Sequence, residues 1–303
     1  MVASSSSGAP QSGQAYRIGL VGDQDSGPVA TVMASLEQAL SEMCSEGCPV
    51  DLRLSRLDVQ SEIVDQATHR WDLIVTVGSR AAQRVAQSAI SIPTLYAFLP
   101  EAAWRALSDC CIASDTPHTA LFIDQPVWRH LILARLIDPA ASRVGVLLGE
   151  VSGNRQAALI ESAAWAGFEL HIAHVENAGD IGPKLRQLVK QSDVILALPD
   201  PDIYNRKTIY SILLTSYSAQ VPVIGYSRAM AEAGAAAAVH ATPELVGREV
   251  ARYLYSYWQT GSMPAAGFGK LFSVTTNRDV MRSLRLPVQT EDALQRLMER
   301  ESP

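Results

Sequence analysis

Twice along the chain, a short apolar run ends in a glycine or polar loop and passes into a segment whose apolar residues recur three and four apart. The first round has strands at YRIGLVG (16–22), VDLRLSRL (50–57), DLIVTVG (72–78) and PTLYAFL (93–99). Helices are predicted between and after them, at 29–43, 59–70, 79–90 and 100–108. The second round has strands at SRVGVLLG (142–149), FELHIAHV (168–175), DVILALP (193–199), VPVIGYS (221–227) and AAAAVHA (235–241), with helices over 154–166, 180–191, 203–219 and 228–233. Strands rich in branched residues, with little alternation, imply parallel sheets buried on both faces. The amphipathic segment QPVWRHLILARLI (125–137) interrupts the rhythm. The expectation is therefore an α/β fold of two doubly wound, Rossmann-like lobes, with a single (β/α)8 barrel as the alternative. Beyond them, TPELVGREVARYLYSYWQTG reads as a helix with Thr242 as N-cap and Gly261 as its stop, and Asn277 caps a last short helix.

A chain of 303 residues, 48% hydrophobic and 18% charged, can build cores for two lobes of this size. Its net charge of -6 and lack of any long Lys/Arg run suggest neither a nucleic-acid face nor a patch for anionic membranes. No stretch reaches the roughly 18 consecutive apolar residues of a membrane span. MVASSSSGAPQSGQ has neither the basic nor the apolar region of a secretory signal and has the composition of a flexible tether. It fits either a cytoplasmic chain with a frayed start or an exported one whose leader is gone. Cys44, Cys48, Cys110 and Cys111 form no disulfide framework and are expected to be free, partly buried thiols.

Open parallel sheets bind ligands at the carboxyl ends of their strands. In the first half these ends carry Asp23, Gln24, Asp25 and Ser26, then Gly78 and Ser79, then Phe98. In the second half they carry Glu150, Ser152 and Asn154, then Asp200 and Asp202, then Tyr226 and Ser227. Taken singly, such Asp, Ser and Asn residues also serve as helix caps. Together, the carboxylates Asp23, Asp25, Glu150, Asp200 and Asp202 would repel a multiply anionic ligand and suit an ammonium group, while helix N-termini can hold one carboxylate. A zwitterion fits both. Of the acidic pair, one of Asp200 and Asp202 is expected to hold a polar or cationic ligand group and the other to cap a helix starting near Ile203.

Motifs for chemistry are weak. GYSRA (225–229) places Ser227 like a nucleophile between a strand and a helix, but Asp279 follows His240, reversing the order such a triad needs. His171 and His174 are three apart on a strand and point to opposite faces, so they share no metal ion. GFGKLF (267–272) lacks the third glycine of a dinucleotide fingerprint. No cofactor is implied. Tyr253, Tyr255, Tyr257 and Trp258 have helical spacing and read as packing residues.

IVTVGSRAAQRV (74–85), IPTLYAFLP (92–100), DVILALPD (193–200), VPVIGYSRAMAEAGAAAAV (221–239), GREVARYLYSYWQTGSMP (247–264) and FSVTTNRDVMRSLRLPV (272–288) resemble the substrate-binding proteins of ABC transporters in the tryptophan/tyrosine-binding group, a branch of type 1 periplasmic binding proteins. The likeness runs from about 16 to 288. It implies two lobes joined by a hinge, closing on a small ligand and docking on a membrane permease, in a periplasmic or extracellular, membrane-associated setting. The implied lobes are 16–123 with 242–266, and 124–241 with 267–288, between a tether (1–15) and a tail (289–303). Ser79, Asp200 and Ser227 fall at matching ligand positions, with Asp23 and Ser26 in the first loop and Asn154 in the second lobe. A sensory protein of this fold docking on a membrane receptor, or a hydrolase using Ser227, stand as alternatives.

Overall fold

Two separate six-stranded sheets, each between helices, carry the chain. The computed structural model describes residues 15–23, 25–45, 51–60, 71–88, 90–112 and 116–301. Nearly all of the expected tether, most of the expected helix 59–70, Gln24 and Cys48 lie outside them. The chain divides into two compact units, Met1–Ile123 with Ala241–Leu271 and Asp124–His240 with Phe272–Pro303.

The first sheet holds β1 (Ala15–Gly22), β2 (Asp51–Asp58), β3 (Leu73–Val77), β4 (Thr94–Leu99), β5 (His118–Phe122) and β11 (Gly267–Phe268). Their order is β11-β5-β4-β3-β1-β2, all parallel. The second holds β6 (Arg143–Leu148), β7 (Glu169–His174), β8 (Val194–Leu196), β9 (Val223–Gly225), β10 (Ala237–His240) and β12 (Ser273–Thr276). Its order is β12-β10-β9-β8-β6-β7, parallel except for β12 against β10. Neither sheet closes on itself, so the doubly wound reading holds and the barrel does not.

In the first unit, α1 (Gly27–Met43) lies along α10 (Pro243–Thr260). Helix α1 buries Val29, Val32, Met33, Leu36, Ala39 and Leu40. The expected caps form: the Thr242 side chain accepts the Leu245 amide, and Gly261 ends α10 with φ 69°. Close contact needs a bare backbone at Gly247, whose missing Cβ would stand 2.5 Å from the Val32 carbonyl oxygen. Tyr257 and Trp258 are buried, Trp258 edge-on to Tyr16 at 5.9 Å, which makes them core residues.

In the second unit, α4 (Val127–Ile137) departs from the amphipathic expectation, because both its faces are covered. Arg129 and His130 are buried along with Leu131, Ile132, Leu133 and Ala134. The Arg129 guanidinium lies 4.4 Å from the Phe272 ring and 4.9 Å from that of Trp128. His130 donates through Nδ1 to the Pro126 carbonyl, 3.2 Å away. Burial first, then the charges of Arg155 and Arg129, bring its pKa down to about 3, so the ring is neutral.

Three further expectations need correction. The expected tail 289–303 carries a packed helix over its described residues: α12 (Glu291–Glu301) places Leu294 and Met298 in the second unit's core, both 0% exposed. The predicted helix 203–219 begins later, as α8 (Ile209–Ser218), after turns in which Thr208 Oγ1 donates to the Ile203 carbonyl at 2.6 Å. The cysteines are not free: Cys110 and Cys111 are bonded to each other, and Cys44 is also in a disulfide.

Candidate functional site

In each unit the first strand in chain order has its sequence successor on one side and the next strand on the other, so the connections leave in opposite directions. Strand β1 lies between β2 and β3, and β6 between β7 and β8. The crevice outside the carboxyl ends at such a reversal is where doubly wound sheets bind ligands.

At this edge of the first unit, Asp23 follows β1 and Gly78 and Ser79 follow β3. The Asp23 carboxylate spans the gap to Arg80 at 2.8 Å, tying the two loops together. The pair is largely exposed and adds little to stability. Gly78 has φ 95°, a conformation suited to glycine, and precedes α2 (Ser79–Gln87), where Ser79 is exposed. Ser26 stands at the N-cap of α1, but its side chain makes no capping hydrogen bond.

Phe98 is the most unusual of these residues. It has φ 58°, in the left-handed region, and the register of β4 against β5 shifts between Ala97 and Leu99. A bulky residue held there costs about 1 kcal/mol or more and marks places where structure is kept for use. Phe98→Gly is accordingly expected to hold stability within about 1 kcal/mol of the parent, since relief of strain offsets lost packing of a half-buried ring. Urea unfolding checks this, and a loss above about 2 kcal/mol would make Phe98 a packing residue.

In the second unit, helix α5 (Glu150–Gly153) follows β6 and precedes α6 (Gln156–Trp165). Here Asp200 spans the reversal. It is 1% exposed, and its Oδ2 accepts hydrogen bonds from the Ser152 amide (2.9 Å) and the Ser152 hydroxyl (2.7 Å). Its Oδ1 accepts the Asp202 amide at 3.1 Å. Both oxygens are thus engaged within the unit. Of the acidic pair, Asp200 is the residue that ties loops and caps a turn, and Asp202 is the one left exposed. A Cβ on Gly149 would stand 2.7 Å from the Asp200 carboxylate, so glycine permits this approach.

Glu150 and Asn154 are exposed beside this junction. Tyr226, after β9, is half-buried and meets Tyr204 edge-on at 6.0 Å. Burial raises the Tyr226 pKa and the carboxylates of Asp200 and Asp124 add to that, so its hydroxyl stays neutral. Ser227 caps α9 (Arg228–Ala233), accepting the Met230 amide from an ordinary extended backbone with φ -150°. That is a helix cap, unlike the strained turn of a nucleophile elbow.

A pocket of about 800 Å³ opens at the carboxyl ends of β6, β7 and β8. Glu150, Glu176 and Asp202 line it with Lys207, Asn205 and Thr208. Carboxylates outnumber the ammonium group there, which favours a ligand carrying positive charge and hydrogen-bonding groups. Sequence reasoning left out the loop after β7, with Glu176 and Asn177, and considered His174 at the strand's end only as a metal ligand. The strand-end rule used elsewhere would have found it. Among the described residues, no group of three or more His, Cys, Asp or Glu could hold a metal ion.

The sequence profile described as ABC transporter substrate binding protein matches residues 56–265. No curated protein sequence matches the chain. Among solved structures, a ligand-free, open substrate binding protein with adhesive properties from Clostridium difficile is similar at TM-score 0.71 and 17% identity, covering 91% of this chain and 97% of that one. An ABC domain in complex with L-Trp from Streptococcus pneumonia is similar at TM-score 0.57 and 15% identity, with 93% and 98% covered. A periplasmic ribose ABC transporter from Conexibacter woesei is similar at TM-score 0.52 and 12% identity, with 92% and 97% covered. At these identities the likeness is one of fold, that of the type 1 periplasmic binding proteins.

Proposed function

The chain belongs to the family of ABC transporter substrate-binding proteins, and from that premise we propose that it captures a small, amino-acid-like solute carrying an ammonium group and delivers it to a membrane permease. The observation that carries this reading is the pocket where Glu150, Glu176 and Asp202 converge with a single lysine at the carboxyl ends of β6, β7 and β8. In the first unit, Ser79 and the strained Phe98 occupy the corresponding edge of that unit's own sheet. The L-Trp complex of a structural neighbour makes tryptophan and tyrosine the first solutes to try. Such capture needs preformed shape and a few convergent polar groups, and neither nucleophile nor metal.

Thermal-shift screening against amino acids and amines tests it. A solute at a hundredfold excess over its Kd stabilises the folded form by about 2.7 kcal/mol. At least one zwitterionic or cationic solute is expected to raise the melting temperature, and Asp202→Asn with Glu150→Gln to abolish the rise. A shift produced only by anionic solutes, or one indifferent to those substitutions, would overturn the assignment.

A further inference from the structure

Helix α8 turns an uncharged, apolar face outward. Tyr210 is 68% exposed, Leu214 65% and Tyr217 37%, and their spacing of four and three places them along one stripe. The opposite face, through Ile212 and Leu213, is buried in the unit. From Thr208 to Ser227 no residue carries a charge, although 18% of the chain does.

Cations border this stripe. Arg206 and Lys207 precede α8 and are exposed. At its other end the Tyr217 hydroxyl hydrogen-bonds to Ser283 of α11 (Arg278–Ser283), which brings the exposed Arg282 and Arg285 alongside. Helix α7 (Ile181–Leu188), packed against α8, adds exposed Arg186, with Lys190 just beyond it. The acidic groups on the neighbouring elements are the exposed Asp202 in the turns before α8, Asp180 at the start of α7, paired with Lys184 at 3.6 Å, Glu232 on α9, and Asp279, paired with Arg282 at 2.7 Å. Cations therefore prevail here in a chain whose net charge is -6.

We infer that the α8 face is a docking surface for an anionic phospholipid membrane, with Tyr210, Leu214 and Tyr217 at headgroup depth and the surrounding Arg and Lys residues against lipid phosphates. Tyrosine suits that depth, since its ring is apolar and its tip polar. A second copy is the poorer occupant: the stripe covers only about 10 Å of helix, well below the roughly 800 Å² per partner of a stable interface. Self-pairing would also set one basic rim against another. The cations come from separate segments of the chain, which is why no Lys/Arg run announces this surface in the sequence.

Flotation with phosphatidylcholine vesicles, with and without phosphatidylglycerol, tests the surface. Binding is expected only where phosphatidylglycerol is present, and to weaken as salt is raised. Tyr210→Ser with Leu214→Ser, and separately Arg206→Glu with Arg285→Glu, should each lower partitioning about tenfold. Both pairs lie on the surface, so melting temperature and solute binding should stay at parental values. No flotation at low salt, equal binding by parent and variants, or self-association that Leu214→Ser removes would overturn the inference.

Discussion

Gly247→Ala is expected to destabilise the first unit by about 3 kcal/mol, lowering its melting temperature by roughly 6–12 °C. On propensity alone the sign should be opposite, because alanine favours a helix interior over glycine by about 1 kcal/mol. Geometry decides. The added Cβ would stand 2.5 Å from the Val32 carbonyl oxygen and 2.8 Å from the Leu36 amide nitrogen. Both are backbone atoms of α1, so no rotamer change relieves the contact, and α1 must move off α10. That movement loosens Val32, Met33 and Leu36, which are at most 1% exposed. Urea unfolding of Gly247→Ala checks the expectation, and an unchanged or raised midpoint would show that the two helices do not meet at this residue.

Asp200→Ala is expected to cost the second unit about 3–5 kcal/mol, because it strands a buried amide and a buried hydroxyl on Ser152 as well as the Asp202 amide. Ser152→Ala loses the hydroxyl's bond to Asp200 and the one it accepts from the Gly149 amide, and should cost about 2 kcal/mol. The contrast separates a tie between loops from a ligand contact. If Asp200→Ala melts with the parent and loses only solute affinity, Asp200 faces the ligand after all. Substitution of the exposed Asp202 should have the reverse profile, with affinity lost and stability kept.

What could be read from the sequence was local or periodic. Thr242, Gly261 and Asn277 act as caps because capping needs only a side chain and its own turn. The long apolar runs of β1, β3 and β6 survive any arrangement of neighbours. What escaped depended on distant partners. Arg129 and His130 give α4 an amphipathic pattern, yet rings from Trp128 and Phe272 and the Pro126 carbonyl make their burial tolerable. Thr208 and Asn205 bond within the turns before α8, which delays a helix that apolar spacing alone would begin earlier. Strand β11 has two residues and is defined by its pairing with β5, a partner far away in sequence. The candidate site was proposed from a row of strand ends, but which of Asp200 and Asp202 is buried was not legible there. Identical side chains two residues apart differ only in what the fold places around them.

The central claim is that the carboxylates at the carboxyl ends of β6, β7 and β8 hold the ammonium group of a small solute. Calorimetric titration of the amino acid or amine giving the largest thermal shift, into the parent, Glu150→Gln and Asp202→Asn, tests it most directly. The prediction is a loss of about tenfold or more in affinity from each substitution, with both unliganded variants melting close to the parent. Full affinity in either variant would contradict it, because the solute would then bind away from these carboxylates.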